Sequence, residues 1–102
     1  MHSHNVYFWL KEGLFGSDLL EFEKGLESLT KIPVVLSSYY GKPANTDRAV
    51  VDNTYSYGLL LIFKDTPDHN LYQADPIHLA FVEKNSAKWT RVQVYDVEVS
   101  KN

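Results

Sequence analysis

Four short segments rich in β-branched and aromatic residues, 4–11, 34–40, 55–63 and 91–99, alternate with helical stretches in the order β-α-β-β-α-β. No other feature constrains the chain as strongly. That order gives an antiparallel sheet with its helices on one face, a ferredoxin-like α+β arrangement. Segment 4–11 is apolar on both sides, with Val6, Phe8 and Leu10 on one and Tyr7 and Trp9 on the other. Segment 55–63 is two-sided as well, and such strands belong in the middle of a sheet or under a partner. Helices on one face leave the second face uncovered. Pairing two copies across a two-fold axis, so that the sheets close a dimeric α/β barrel, covers it most economically.

The chain has 102 residues and reads as a single domain, 1–102, with a modest core of its own. Its aromatic content of 14% adds weight to an interface or a pocket. Asp18 and Glu21 resemble a capping box, and Leu19, Phe22, Leu26 and Leu29 follow as one apolar helical stripe. The second helical stretch is broken. Thr66-Pro67 starts a short helix with Thr66 as its N-cap, and Asp75-Pro76 starts another. In that last helix Ile77, Ala80, Phe81 and Lys84 form the inner stripe and Trp89 the end. The stretch 42–53 is a polar connection, in which Asp47 and Arg48 pair across an interface or order the loop.

Several function classes lack their signature. Net charge is −3 and Lys/Arg clusters are absent, so nucleic-acid binding has no electrostatic footprint. The longest apolar run, 58–63, is too short to span a bilayer, and strand-like sequence begins almost at once in place of a signal peptide. With no cysteine there is no disulfide, thiolate nucleophile or zinc ribbon. Ser37 and Ser38 have no G-x-S-x-G context, and Gly13-x-x-Gly16 is no dinucleotide fingerprint. The expectation is a cytoplasmic protein with no nucleic-acid or membrane partner.

The candidate site centres on Tyr72 and His78, six residues apart across the Asp75-Pro76 break. His78 falls in the first helical turn, where the helix dipole and free backbone N–H groups disfavour imidazolium and suit a general base. Asp75 pushes the other way, and the sequence leaves the net sign open. Tyr72 either orients the imidazole or donates to a substrate carbonyl. The plain alternative is a backbone-bonded helix-start histidine beside a core tyrosine. His4 shares a face with Val6 and Phe8, as a pocket wall or a satisfied strand-end histidine. His2 lies too near the terminus to carry weight, and His69, beside Asp68, reads as solvated. His4, His78 and Asp75 fit a metal in ligand type but show no H-x-H or H-E-x-x-H spacing, so neither metal nor cofactor is expected. Tyr39, Tyr40, Tyr55, Tyr57 and Trp89 supply rings to a cavity or to sheet packing.

The chain resembles the stress-responsive dimeric α/β-barrel (Dabb) domains over about 4–99. The resemblance rests on His4-x-Val6-x-Phe8-Trp9-Leu10-Lys11, on Ile32-Pro33 with Gly41-Lys42-Pro43, and on Asp47-Arg48-x-Val50-Val51-Asp52. Tyr72-x-x-x-Pro76-x-His78 and Trp89-x-x-x-x-Val94-x-Asp96 complete it. It implies a homodimer with a pocket between sheet and helices. A plant relative, olivetolic acid cyclase, performs a cofactor-free aldol cyclisation with a Tyr/His couple that matches Tyr72 and His78. A pocket histidine of that cyclase falls at Tyr57, and a histidine common before the helix proline is Asp75 here. Two functions follow as expectations. In one, a pocket formed with His4, Tyr57, Phe81 and Trp89 binds a small hydrophobic or aromatic ligand, with possible proton-transfer chemistry by His78 and Tyr72. In the other, the chain is a non-catalytic stress-associated dimer with a packed interior.

Overall fold

A computed structural model describes residues 1–100. The elements are β1 (His2–Leu10), α1 (Gly16–Leu29), β2 (Val35–Gly41), β3 (Tyr57–Phe63), α2 (Thr66–Ala74), α3 (Pro76–Asn85), a short 3-10 turn (Ser86–Lys88) and β4 (Trp89–Glu98). The sheet runs β2-β3-β1-β4 and every pair is antiparallel. The two segments that are apolar on both sides, β1 and β3, are the two central strands, as their composition requires.

Register fixes which side chains meet the helices. Val6 lies between Leu59 and Val94, and Phe8 between Tyr57 and Val92. Against that face α1 buries Phe22, Leu26 and Leu29, joined by Tyr72 of α2 and Phe81 of α3. Leu19, the first residue of the expected stripe, is only half-buried. The opposite face keeps Leu60, Tyr39, Tyr95 and Val97 exposed, with Tyr7 and Trp9 half-buried.

Local signals place the helices, with shifts at their ends. At α1 the chain turns through Gly13, whose φ of +80° suits a residue without a Cβ. The helix then starts two residues before Asp18, and the Asp18 carboxylate reaches back to accept from the Phe15 amide. The cap of α2 is Asp65, which accepts from the Asp68 amide, rather than Thr66. Asp75 caps α3 as expected. Trp89 opens β4 instead of ending α3, because the 3-10 turn intervenes. Ile77 and Ala80 lie outside the core, and Phe81 alone carries the buried stripe of α3 with Asn85. No helix among the described residues is long and apolar enough to cross a membrane.

Two contacts lock α1 to α3 and the turn after it. Lys88 is buried, and its Nζ donates to Glu21 Oε1 at 2.6 Å and to Asn85 Oδ1 at 2.7 Å. Gly25 lets the helices approach closely: a Cβ there would lie 2.8 Å from Phe81 Cδ1 and 2.9 Å from Asn85 Nδ2. Neither neighbour is free to move, since Phe81 is core and Asn85 is tied to Lys88. Gly25→Ala should therefore destabilise the chain by about 1–3 kcal/mol despite the better helix propensity of alanine, read as a lower urea midpoint at unchanged slope.

Candidate functional site

On the helix side, the edge strand β4 is poorly covered: Val92 and Val94 stay about two-fifths exposed. Between them, β1 and α3 lies a cavity of about 160 Å³. Its walls include His4 and Val6, Tyr72, His78, Phe81 and Trp89. Five of the six residues expected for the site therefore come together. A larger opening of about 580 Å³ runs along the outside between α1 and α3. Of its polar lining, Glu21 and Asn85 are already spent on Lys88.

The break between α2 and α3 sets the Tyr72/His78 geometry. Pro76 cannot continue α2, and the Asp75 carboxylate accepts from the Ile77 amide at 2.8 Å to start the new helix. His78 becomes its third residue, with its ring centroid 4.8 Å from that of Tyr72 at 58°. The two rings touch without a hydrogen bond between them. His78 Nδ1 is buried and has no partner among the described residues. Burial lowers the His78 pKa below the ordinary histidine value, and His69 adds to it. The Gln73 backbone and the Asp75 carboxylate push the other way and lose. The balance of these influences favours the neutral ring. Tyr72 is 1% exposed, and burial alone pushes its hydroxyl well above the usual tyrosine range. It stays a proton donor, with no protein partner among the described residues.

Tyr57 stands elsewhere. It is on the helix side of β3, but at the strand end that meets α1, where it packs on Phe22 and donates to Glu23 Oε1. Burial, with that bond, pushes it up to about 12. It does not line the cavity, because strand alternation fixes a residue's face and not its position relative to the helices. Of the remaining rings, Tyr40 donates to Glu27, while Tyr55 lies with Tyr7 and Trp9 on the other side of the sheet. Asp47 and Arg48 form no ion pair among the described residues; the loop is tied by Asn53 and Asp52 instead.

Two histidines set aside from sequence are buried. His2, His4 and His69 are 8%, 4% and 9% exposed and surround one oxygen of Asp96. Asp96 Oδ1 lies 2.6 Å from His4 Nδ1, 2.9 Å from His2 Nε2 and 3.9 Å from His69 Nε2. The His2 and His69 rings stack at 4.2 Å and 13°. Burial lowers the His4 pKa against the pull of Asp96. Burial also works to raise Asp96, but hydrogen bonds with His4 and His2 outweigh it and hold the carboxylate below its usual range. His69 is no solvated residue; α2 lays it across the end of β1. A visible signal was His2-Ser3-His4, an H-x-H pair on one face of a strand. Asp96 joins it only through the pairing of β1 with β4.

A family model described as the stress responsive A/B barrel domain matches residues 3–99. No curated protein matches the sequence. Among solved structures, a protein of Arabidopsis thaliana superposes with a TM-score of 0.82 at 19% identity, covering 100% of this chain and 98% of its own. A hydroxynitrile lyase from Passiflora edulis gives 0.80 at 15%, covering 99% and 94%. A dimeric ferredoxin-like protein of unknown function from Thermobifida fusca gives 0.78 at 14%, covering 96% and 90%. These likenesses show the fold.

Proposed function

The chain belongs to the stress-responsive A/B barrel domain family, and on that premise we propose that it is a homodimer that binds a small hydrophobic or aromatic molecule beside Tyr72 and His78. The observation that carries this reading is a buried imidazole nitrogen without a partner among the described residues, in a cavity wall shared with Tyr72. Native chains rarely leave such groups unpaired in an otherwise apolar setting unless a ligand completes them. The volume of about 160 Å³ matches what holds a single benzene-sized ring. His78 is the base for a proton-transfer step and Tyr72 the hydrogen-bond donor that orients a ligand carbonyl, without a cofactor. His4, Phe81 and Trp89 shape the wall, and Tyr57 acts behind it by supporting Phe22. That a lyase shares this fold is in keeping with such chemistry.

Thermal shift against a panel of aromatic ketones and polyketide mimics tests the reading. At least one compound should raise the melting temperature of the wild-type chain. In Tyr72→Phe, one lost hydrogen bond of about 1 kcal/mol weakens its affinity about fivefold. A panel without any hit, or a hit unchanged in both Tyr72→Phe and His78→Ala, would leave the non-catalytic dimer as the better description.

A further inference from the structure

His2, His69 and Asp96 do not line the Tyr72/His78 pocket, yet with His4 they bring three buried imidazoles to one carboxylate oxygen. We propose that His2, His4, His69 and Asp96 form a binding site for one divalent transition-metal ion of the zinc class. One donor atom from each residue lies within 4.8 Å of all the others. Tetrahedral zinc with bonds of about 2.0–2.1 Å needs donors roughly 3.4 Å apart. The two shortest approaches, 2.6 and 2.9 Å to Asp96 Oδ1, are already below that, and the 3.9 Å to His69 Nε2 is slightly above it. Small side-chain rotations close the site, and Asp96, whose side chain is 42% exposed, has the freedom to make them.

The outer ring nitrogens of His2 and His69 are held as those of metal-binding histidines usually are. His69 Nδ1 lies 3.2 Å from Asn70 Oδ1, which accepts its proton, and the His69 Nε2 lone pair accepts a long 3.3 Å bond from Gln73 Nε2 that the ion would displace. His2 Nδ1 lies 3.1 Å from Thr66 Oγ1. Without metal, His2 Nε2–H and His4 Nδ1–H donate to Asp96. With metal, His2 and His4 each carry the proton on the other nitrogen, and the inward lone pairs of all three rings bind the ion. His2 then donates to Thr66. Three imidazoles and one carboxylate, with no thiolate, suit zinc, copper or nickel over calcium or magnesium, which need more oxygens.

The test is titration of the chelator-stripped full chain with Zn²⁺, and separately with Co²⁺, against a chromophoric competitor. The expected result is one ion per chain, a higher melting temperature, and a visible Co²⁺ spectrum of low-symmetry four-coordination. His69→Gln and Asp96→Asn should each lose at least about tenfold in affinity, and Thr66→Val about tenfold through the lost outer hydrogen bond. His78→Ala should bind as the wild type does, which separates this site from the neighbouring pocket. Far-UV circular dichroism confirms that each variant is folded. If Asp96→Asn fails to fold, His69→Gln, on a helix and outside the sheet, still decides. No stoichiometric binding, binding untouched by His69→Gln, or binding lost in His78→Ala would each overturn the proposal.

Discussion

Replacing His78 by phenylalanine should raise the melting temperature while abolishing any ligand-induced shift at the pocket. The wild-type ring keeps a buried nitrogen without a partner, and such a group typically costs about 1–3 kcal/mol. His78 is only half-buried, so the lower end applies: about 1 kcal/mol, or roughly 4 °C for a chain of this size. The adjoining cavity has room for the slightly larger ring. A residue that weakens the fold where it stands is the expected mark of a functional position.

The same substitution has a pH signature. Because the folded-state pKa of His78 is lowered from 6.5, the unfolded chain takes up the proton first as the solution is acidified. Wild-type stability therefore falls as pH drops below the unfolded value, until the folded pKa is passed. His78→Phe lacks this loss, so its advantage should widen between roughly pH 7.5 and 5.5. His4 is shifted in the same direction but is present in both chains and cancels in the difference. Calorimetric melts of the two chains at both pH values provide the measurement. A variant less stable than wild type, with no widening on acidification, would mean that the ring is satisfied in solution and the pocket reading is wrong.

What could be read in advance was local. The helix break at Asp75-Pro76, its cap and the position of His78 follow from residues adjacent in sequence, and the structure has them where the sequence puts them. Which two strands are central follows from which segments are apolar on both sides. The sign of the His78 shift was not legible, because dipole and burial oppose Asp75 and only the packed structure weighs them. The Asp96 cluster was not legible either. It joins both ends of the chain with the start of α2, and only the register of His2 with Glu98 and His4 with Asp96 puts the carboxylate between the imidazoles. His2 near a terminus carries no weight, and His69 beside an aspartate looks solvated, until β1 is known to be central. Tyr57 lies outside the cavity for a related reason, being on the same face but at the other end of it.

The second large effect concerns the outer sheet face. Leu60 stands on central strand β3 between Tyr39 of β2 and Asn5 of β1, pointing away from every helix. With Tyr95 and Val97 it makes a surface too apolar to face water across a central strand, and a second copy is the covering that the proposed dimer supplies. Leu60→Glu places a carboxylate in that interface, where an unpaired buried charge costs several kcal/mol in each of two symmetric positions. Sedimentation velocity should show the wild type as a dimer and Leu60→Glu as a monomer at the same concentration. The variant's melting temperature should also be lower, since loss of the partner removes a mass-action contribution to stability. The His2/His4/His69/Asp96 cluster and the Tyr72/His78 cavity both lie on the helix side, built from one copy alone. The monomeric variant should accordingly keep its Zn²⁺ stoichiometry while losing the dimer. A wild-type chain that is monomeric at every concentration, or a Leu60→Glu chain that still dimerises, would mean that the sheet face is covered in some other way.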